Sequence, residues 1–282
     1  MKNQTLLFVM DETTPDAEVQ TVIQDAPAQN ARVICLVLAT APAYPMGTYS
    51  AMSYGGMDVP EQWIAQMSES RQRLTDRSDA VMTLLKNEGV SGGVQPVQTV
   101  LADIPAIVGR RAQVSDLAFL APNLRTDNAD LFRSAAHGIL FHSPVALMLN
   151  GAPLSPPERV FVAWNTDLPA ARAVHEALPM LKAAKEVVIG CIDPDATATR
   201  DGEDPGSDLA EWLSHLGCTV VVNQYPSGGK DIGEGIQRHA TELGADLVVM
   251  GAFGRSRLRE FVFGGTTRTM LDQVAMPVFM AR

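Results

Sequence analysis

The chain repeats itself. Ser115-Asp116-Leu-Ala-Phe-Leu-Ala121 corresponds to Ala245-Asp246-Leu-Val-Val-Met-Gly251, and Ser143-Pro144-Val-Ala-Leu-Met-Leu149 corresponds to Met276-Pro277-Val-Phe-Met-Ala281. Nearer the start of each copy, Leu6-Leu-Phe-Val-Met-Asp11 matches Val160-Phe-Val-Ala-Trp-Asn165. A repeat on this scale means two copies of one domain, and a length of 282 residues is about twice that of a common domain. The expected halves are 1–150 and 158–282. Gly151-Ala-Pro-Leu-Ser-Pro-Pro157 between them has a linker's composition, because its prolines cannot continue a helix or a central strand.

Each half alternates short apolar runs with longer amphipathic ones. In the second half the spacing predicts strands near 159–164, 185–191, 218–224, 246–250 and 277–281, with helices between them such as Leu168 to Ala183 and Ile232 to Leu243. That order implies βαβ units, so the expected fold class is α/β: two tandem doubly wound domains, each a mostly parallel five-stranded sheet flanked by helices. In the first half, Asp58-Val-Pro-Glu61 offers an N-cap and a first-turn proline to a long helix from Val59 to about Glu88. Residues 39–57, with Tyr44, Tyr49 and Tyr54, read as a long loop that either carries function or lies mobile on the surface.

Charge and composition remove several classes of function. A net charge of −10 disfavours sequence-independent binding to nucleic acid. No apolar run reaches the roughly eighteen residues of a membrane span, and the N-terminus shows no cleavable signal, so the expected location is the cytoplasm. Cys35, Cys191 and Cys218 lie in or beside apolar runs without metal-ligand spacing and read as buried reduced thiols. The five histidines, His137, His142, His175, His215 and His239, form no catalytic pattern.

The chemistry-bearing stretch is Asp246-Leu-Val-Val-Met-Gly251-Ala-Phe-Gly254, followed after nine residues by Gly264-Gly265-Thr266-Thr267. Gly251 and Gly254 allow a sharp turn and a close backbone approach. Gly264, Gly265 and Thr266 then open a helix, whose unpaired N–H groups and dipole favour an anion such as phosphate. This Gly-x2-Gly-x9-Gly spacing, with Ser256-Arg-Leu-Arg-Glu-Phe-Val-Phe inside it and Met276-Pro-Val-Phe-Met-Ala after it, resembles the nucleotide-binding signature of the universal stress protein family.

The resemblance implies ATP or a related adenine nucleotide, held beyond the carboxyl ends of the strands. The ligand-contacting set it implies is Ala163, Trp164 and Asn165, then Ile192, then Met250, Gly251, Gly254, Arg255, Gly264, Gly265 and Thr266. Two positions depart from the family pattern. Asn165 stands where nucleotide-binding members carry an aspartate, and Gly265 stands where they carry Ser or Thr. Trp164 either stacks on the adenine or fills the pocket. Arg255, Arg257 and Arg259 are candidates to reach a phosphate or to pair with Glu260. The acidic loops Asp193-Pro-Asp195 and Asp201-Gly-Glu-Asp204 are candidates to hold Mg²⁺ beside a bound nucleotide, or are simply solvated.

The first half departs differently. It keeps Asp11, but Ala121, Leu124 and Ser134 replace the loop glycines and Pro122 removes a donor, so it is expected not to bind nucleotide. Its expected role is to pair with the second half through the last strands, as single-domain relatives pair in dimers. A homodimer of the whole chain is a further possibility, and no nucleic-acid or membrane partner is expected. Ser227-Gly-Gly-Lys-Asp231 resembles a pyrophosphate loop in the wrong place, after the third strand rather than the first, and reads as a tight turn before a helix. The leading reading is a non-enzymatic universal stress protein with a nucleotide site in the second half only. The alternatives are a scaffold with decayed sites in both halves and, last, a slow ATPase lacking an evident general base.

Overall fold

The computed structural model describes residues 3–42, 61–151, 156–253 and 265–282. The first half runs β1 (Thr5–Asp11), α1 (Asp16–Ile23), α2 (Ala26–Gln29), β2 (Arg32–Thr40), α3 (Glu61–Asn87), β3 (Ser91–Thr99), α4 (Ile104–Ala112), β4 (Leu117–Leu120), α5 (Asn123–Asp127), α6 (Ala129–His142) and β5 (Leu147–Leu149). The second half runs β6 (Arg159–Ala163), α7 (Leu168–Ala183), β7 (Glu186–Ile192), α8 (Ser207–His215), β8 (Val220–Tyr225), α9 (Ile232–Glu242), β9 (Leu247–Gly251), α10 (Gly265–Asp272) and β10 (Val278–Ala281). Every second-half strand falls within two residues of its expected position. Ala39 and Thr40 prolong β2, so the loop expected at 39–57 begins later, and its tyrosines lie outside the described residues.

All ten strands join one sheet in the order β3-β2-β1-β4-β5-β10-β9-β6-β7-β8. Neighbours within each half are parallel. The last strands of the halves pair antiparallel, with Val278 opposite Leu149, Phe279 opposite Met148 and Met280 opposite Leu147. A parallel sheet covered by helices is buried on both faces, and hence the strands read as continuous apolar runs rather than alternating ones. Leu6 to Met10, Val160 to Val162 and Leu247 to Met250 are all buried, and one contiguous core runs through both halves. Edge strands end that pattern: β8 is only partly buried, with Val221 at 41% exposure.

The chain order reverses between β1 and β4 in one half and between β6 and β9 in the other. The acidic residues before β4 and β9 serve these central pairs from the opposite end. Asp246 accepts the N–H groups of Glu158 (2.7 Å) and Arg159 (3.0 Å) at the start of β6. Asp116 likewise accepts the N–H of Thr5 (2.6 Å) at the start of β1. The repeated aspartate is therefore a strand cap and lies away from the glycine loop. Asp246→Ala is expected to lower stability by about 1 kcal/mol, read as a lower urea midpoint at unchanged m, with ligand affinity untouched.

Candidate functional site

A cavity of about 440 Å³ opens at the carboxyl ends of β6, β7 and β9. This is where ligands collect in a doubly wound sheet, at the point where strand order reverses, and the volume lies within the roughly 300–1,000 Å³ of small-molecule sites. The structure places Ala163, Trp164, Asn165, Ile192, Met250, Gly251, Gly265 and Thr266 on its wall, so eight of the expected residues come together. Gly254, Arg255 and Gly264 lie outside the described residues.

Each wall has a local cause. Trp164 is held as β6 ends, its N–H donating to the Gly190 carbonyl (3.0 Å). Gly190 is on the wall because a Cβ there would lie 2.1 Å from the Phe161 ring. Gly251 answers to packing as well as to any ligand: a Cβ would lie 2.4 Å from the Ala170 nitrogen and 2.6 Å from the Pro169 carbonyl carbon, in the first turn of α7. Opposite, Thr267 in the first turn of α10 is buried and accepts the Phe253 N–H (3.1 Å).

Residues with a Cβ adopt positive φ just beyond three strand ends: Thr166 (+54°) after β6, Asp193 (+46°) after β7 and Phe253 (+60°) after β9. Such conformations persist only where the surroundings hold them, and they gather at ligand sites. Thr166 is held by Asp201, whose carboxylate accepts its hydroxyl at 2.7 Å. Asp193 accepts the Ser227 N–H (2.8 Å), and hydrogen bonds from Ser227 hold its carboxyl below the ordinary range. The Ser227–Asp231 segment is the expected turn: Gly228 and Gly229 take φ of +64° and +75°, and Asp231 caps α9 by accepting the Glu234 N–H (3.2 Å).

The cavity mouth is acidic. Asp167, Asp193 and Asp201 line it, and among the described lining residues none is basic. An Asp231 carboxylate oxygen also lies 3.4 Å from where a Cβ on Gly265 would sit. Asn165 and Asp167 hold each other, the amide donating to the carboxylate at 3.0 Å. Among the described residues no group of three or more His, Cys, Asp or Glu is arranged to hold a metal. The cysteines are buried and unpaired in disulfides, and burial pushes the Cys35 thiol up to about 12 and the Cys191 thiol up to about 11. Neither is a nucleophile at neutral pH.

At the equivalent place in the first half the strand-end carboxylate is turned inward. Asp11 is buried, and its carboxylate accepts the Thr13 N–H (2.9 Å) and the hydroxyls of Thr13 (2.8 Å) and Thr14 (3.1 Å). Asn123, at the start of α5, accepts the Thr14 hydroxyl at 2.9 Å and completes the plug. Leu124 is fully buried where the second half has Gly254. The Asp11 carboxylate is thus taken up by internal hydrogen bonds.

Comparisons with known proteins bear on the fold that frames this cavity. Residues 157–282 match the profile of the universal stress protein family. The second half is a universal stress protein domain. A universal stress protein from Archaeoglobus fulgidus DSM 4304 aligns over 98% of both chains with a TM-score of 0.62 at 17% identity. A putative universal stress protein from Pseudomonas aeruginosa UCBPP-PA14 aligns over 99% of this chain and 93% of its own, with a TM-score of 0.56 at 15% identity. At these identities the likeness establishes a shared fold, and it extends over both halves. No curated protein matches the sequence. Among the described residues no helix is long and apolar enough to cross a membrane.

Proposed function

We propose that this chain is a cytoplasmic stress-response protein that binds one adenine nucleotide, ATP or a close relative, in the second half only. The observation that carries the proposal is the cavity between β6 and β9, where apolar Trp164, Ile192 and Met250 face the Gly265-Thr266 start of α10. The apolar side suits a base, which Trp164 is placed to stack upon. The helix start offers N–H groups to a phosphate, with Gly265 adding no side chain to obstruct them. The engagement of Asp11 by Thr13 and Thr14 supports one site per chain rather than two.

Calorimetry of the full chain with ATP and Mg²⁺, and with AMP for comparison, tests this reading. The expected result is one site per chain, lost in Gly265→Val, which sets a branched side chain at the cavity wall. Absence of heat with both nucleotides, and of nucleotide carried through purification, would remove the proposal and leave a scaffold acting through protein partners.

The acidic mouth adds a prediction. A free triphosphate at the helix start would bring its negative charge close to the carboxylates of Asp193 and Asp231, whereas its Mg²⁺ complex brings a cation that offsets them. ATP affinity is expected to rise about ten-fold from EDTA to millimolar Mg²⁺, and AMP affinity to change little. Equal ATP affinities in the two buffers would show that these carboxylates do not bear on the phosphates.

A further inference from the structure

The first half touches the cavity's frame through an aromatic strut. Phe253 lines the cavity, and its ring packs edge-on against Phe141 of α6 at 4.2 Å between centroids. Phe141 stacks in turn on His137 (4.3 Å, 12° between planes). The guanidinium of Arg282 lies over Phe141 at 3.8 Å and beside Phe253 at 5.9 Å. Phe253 is thus fixed on two sides. Its N–H is bound to Thr267 in the first turn of α10, and its ring is bound to a residue from the other half. A bulky side chain at φ +60° requires such fixing.

The same half holds the far end of α10. Arg125 donates to the Leu271 carbonyl (2.9 Å) and to the Asn150 side chain (3.1 Å). Asn150 donates to the carbonyls of Gln273 (3.0 Å) and Met276 (3.2 Å). Both termini of the helix that opens on the cavity are therefore positioned by contacts that lead to residues before 151.

The repeat supplies an internal control. Counting back from Pro144 and Pro277, the partner of Phe141 in the second half is Val274; counting from Ala121 and Gly251, the partner of Phe253 in the first half is Asn123. Val274 is 69% exposed, and Asn123 is taken up by the Asp11 plug. Among the described residues the aromatic contact exists on the side of the seam that serves the cavity and not at its repeat-related position beside Asp11.

We propose that Phe141 is a positioning residue for the second half's cavity: it holds Phe253, and through it the first turn of α10, in the ligand-accepting arrangement. The affinity readout rests on the nucleotide-binding reading above, whereas amide exchange does not. Phe141 is only partly buried, so Phe141→Ala is expected to leave the fold intact, with Phe141→Tyr keeping the ring. Two measurements on the full chain decide the matter: calorimetry with Mg²⁺-ATP and AMP, and hydrogen exchange of the 251–253 and 265–272 amides without ligand.

In Phe141→Ala the expected results are a Kd for either nucleotide raised about ten-fold and exchange at Phe253 and at the 269–272 amides of α10 accelerated by a similar factor, with β1 amides unchanged. Phe141→Tyr is expected to restore both. Unchanged exchange at Phe253 would overturn the proposal. So would equal acceleration of the β1 amides, which would reduce Phe141 to a general stabiliser. If the native protein binds neither nucleotide, the functional reading falls while exchange still decides the positioning role.

Discussion

Gly251→Ala is expected to destabilise the protein by about 3 kcal/mol, toward the upper end for overpacked sites. The added Cβ would meet backbone atoms, the Ala170 nitrogen at 2.4 Å, the Pro169 carbon at 2.6 Å and the Ala170 Cα at 2.9 Å. Backbone in the first turn of a helix cannot swing aside as a side-chain tip can, so α7 must move away from β9. Gly251 needs no positive φ, and the penalty is therefore steric. The control is Gly93→Ala in β3, where nothing lies within 4 Å of the added atom and φ is not positive. That substitution is expected to be neutral or to stabilise by up to about 0.5 kcal/mol. Urea unfolding of the two variants separates the accounts: equal midpoints would show that β9 and α7 have room to part. Because the displaced turn follows directly on Asn165 and Asp167, nucleotide binding is expected to fall with stability in Gly251→Ala.

This result bears on how the glycine motif is to be understood. Sequence spacing assigns Gly251 to close approach between backbone and ligand, and it does lie on the cavity wall. Its tightest neighbours are nonetheless residues of its own domain. A spacing shared with a family records every constraint on a glycine at once, and only the contacts separate packing from recognition. Asp246 shows the same limit. In the sequence it opens the chemistry-bearing stretch, while in the fold it caps β6 at the opposite end of the sheet.

Order along the chain was legible because local patterns report it: apolar runs of strand length, amphipathic runs between them, and turn residues such as Ser227-Gly-Gly. Pairing of the last strands was expected from the family resemblance and not from any local pattern. The features that were not legible join residues far apart in sequence through shape. The Asp11 plug needs Asn123, more than a hundred residues away, and the strut needs Phe141 to meet Phe253 across the seam. Loss of the loop glycines signals that the first site is degenerate. It does not reveal that the retained aspartate is itself buried and satisfied, since an aspartate reads the same whether it faces a ligand or two threonines.

At the seam between the halves Glu176 is a group whose charge is poorly accommodated. Glu176 of α7 borders a cavity of about 210 Å³ shared with Asp116, Pro144, Val145, Met180 and Phe279. Burial raises its carboxyl from 4.5 to about 7, against the opposing effects of the Ala146 N–H, which it accepts, and of Arg172 one turn earlier on its own helix. Across the cavity the facing charge is Asp116, which gives a carboxylate at Glu176 no support. A folded-state pKa above the unfolded one means that folding takes up a proton between about pH 4.5 and 7. The stability contributed by the neutral acid is complete below that window and is lost as pH rises through it. Glu176→Gln removes the ionisation and keeps the shape. It is expected to match the native protein near pH 4 and to exceed it at pH 8 by about 1–2 kcal/mol, the value a full shift would give being reduced because the group is partly solvated. Urea midpoints of the two proteins measured from pH 4 to 8 check this. Curves that stay parallel across the range would show that Glu176 ionises as freely in the seam as in water.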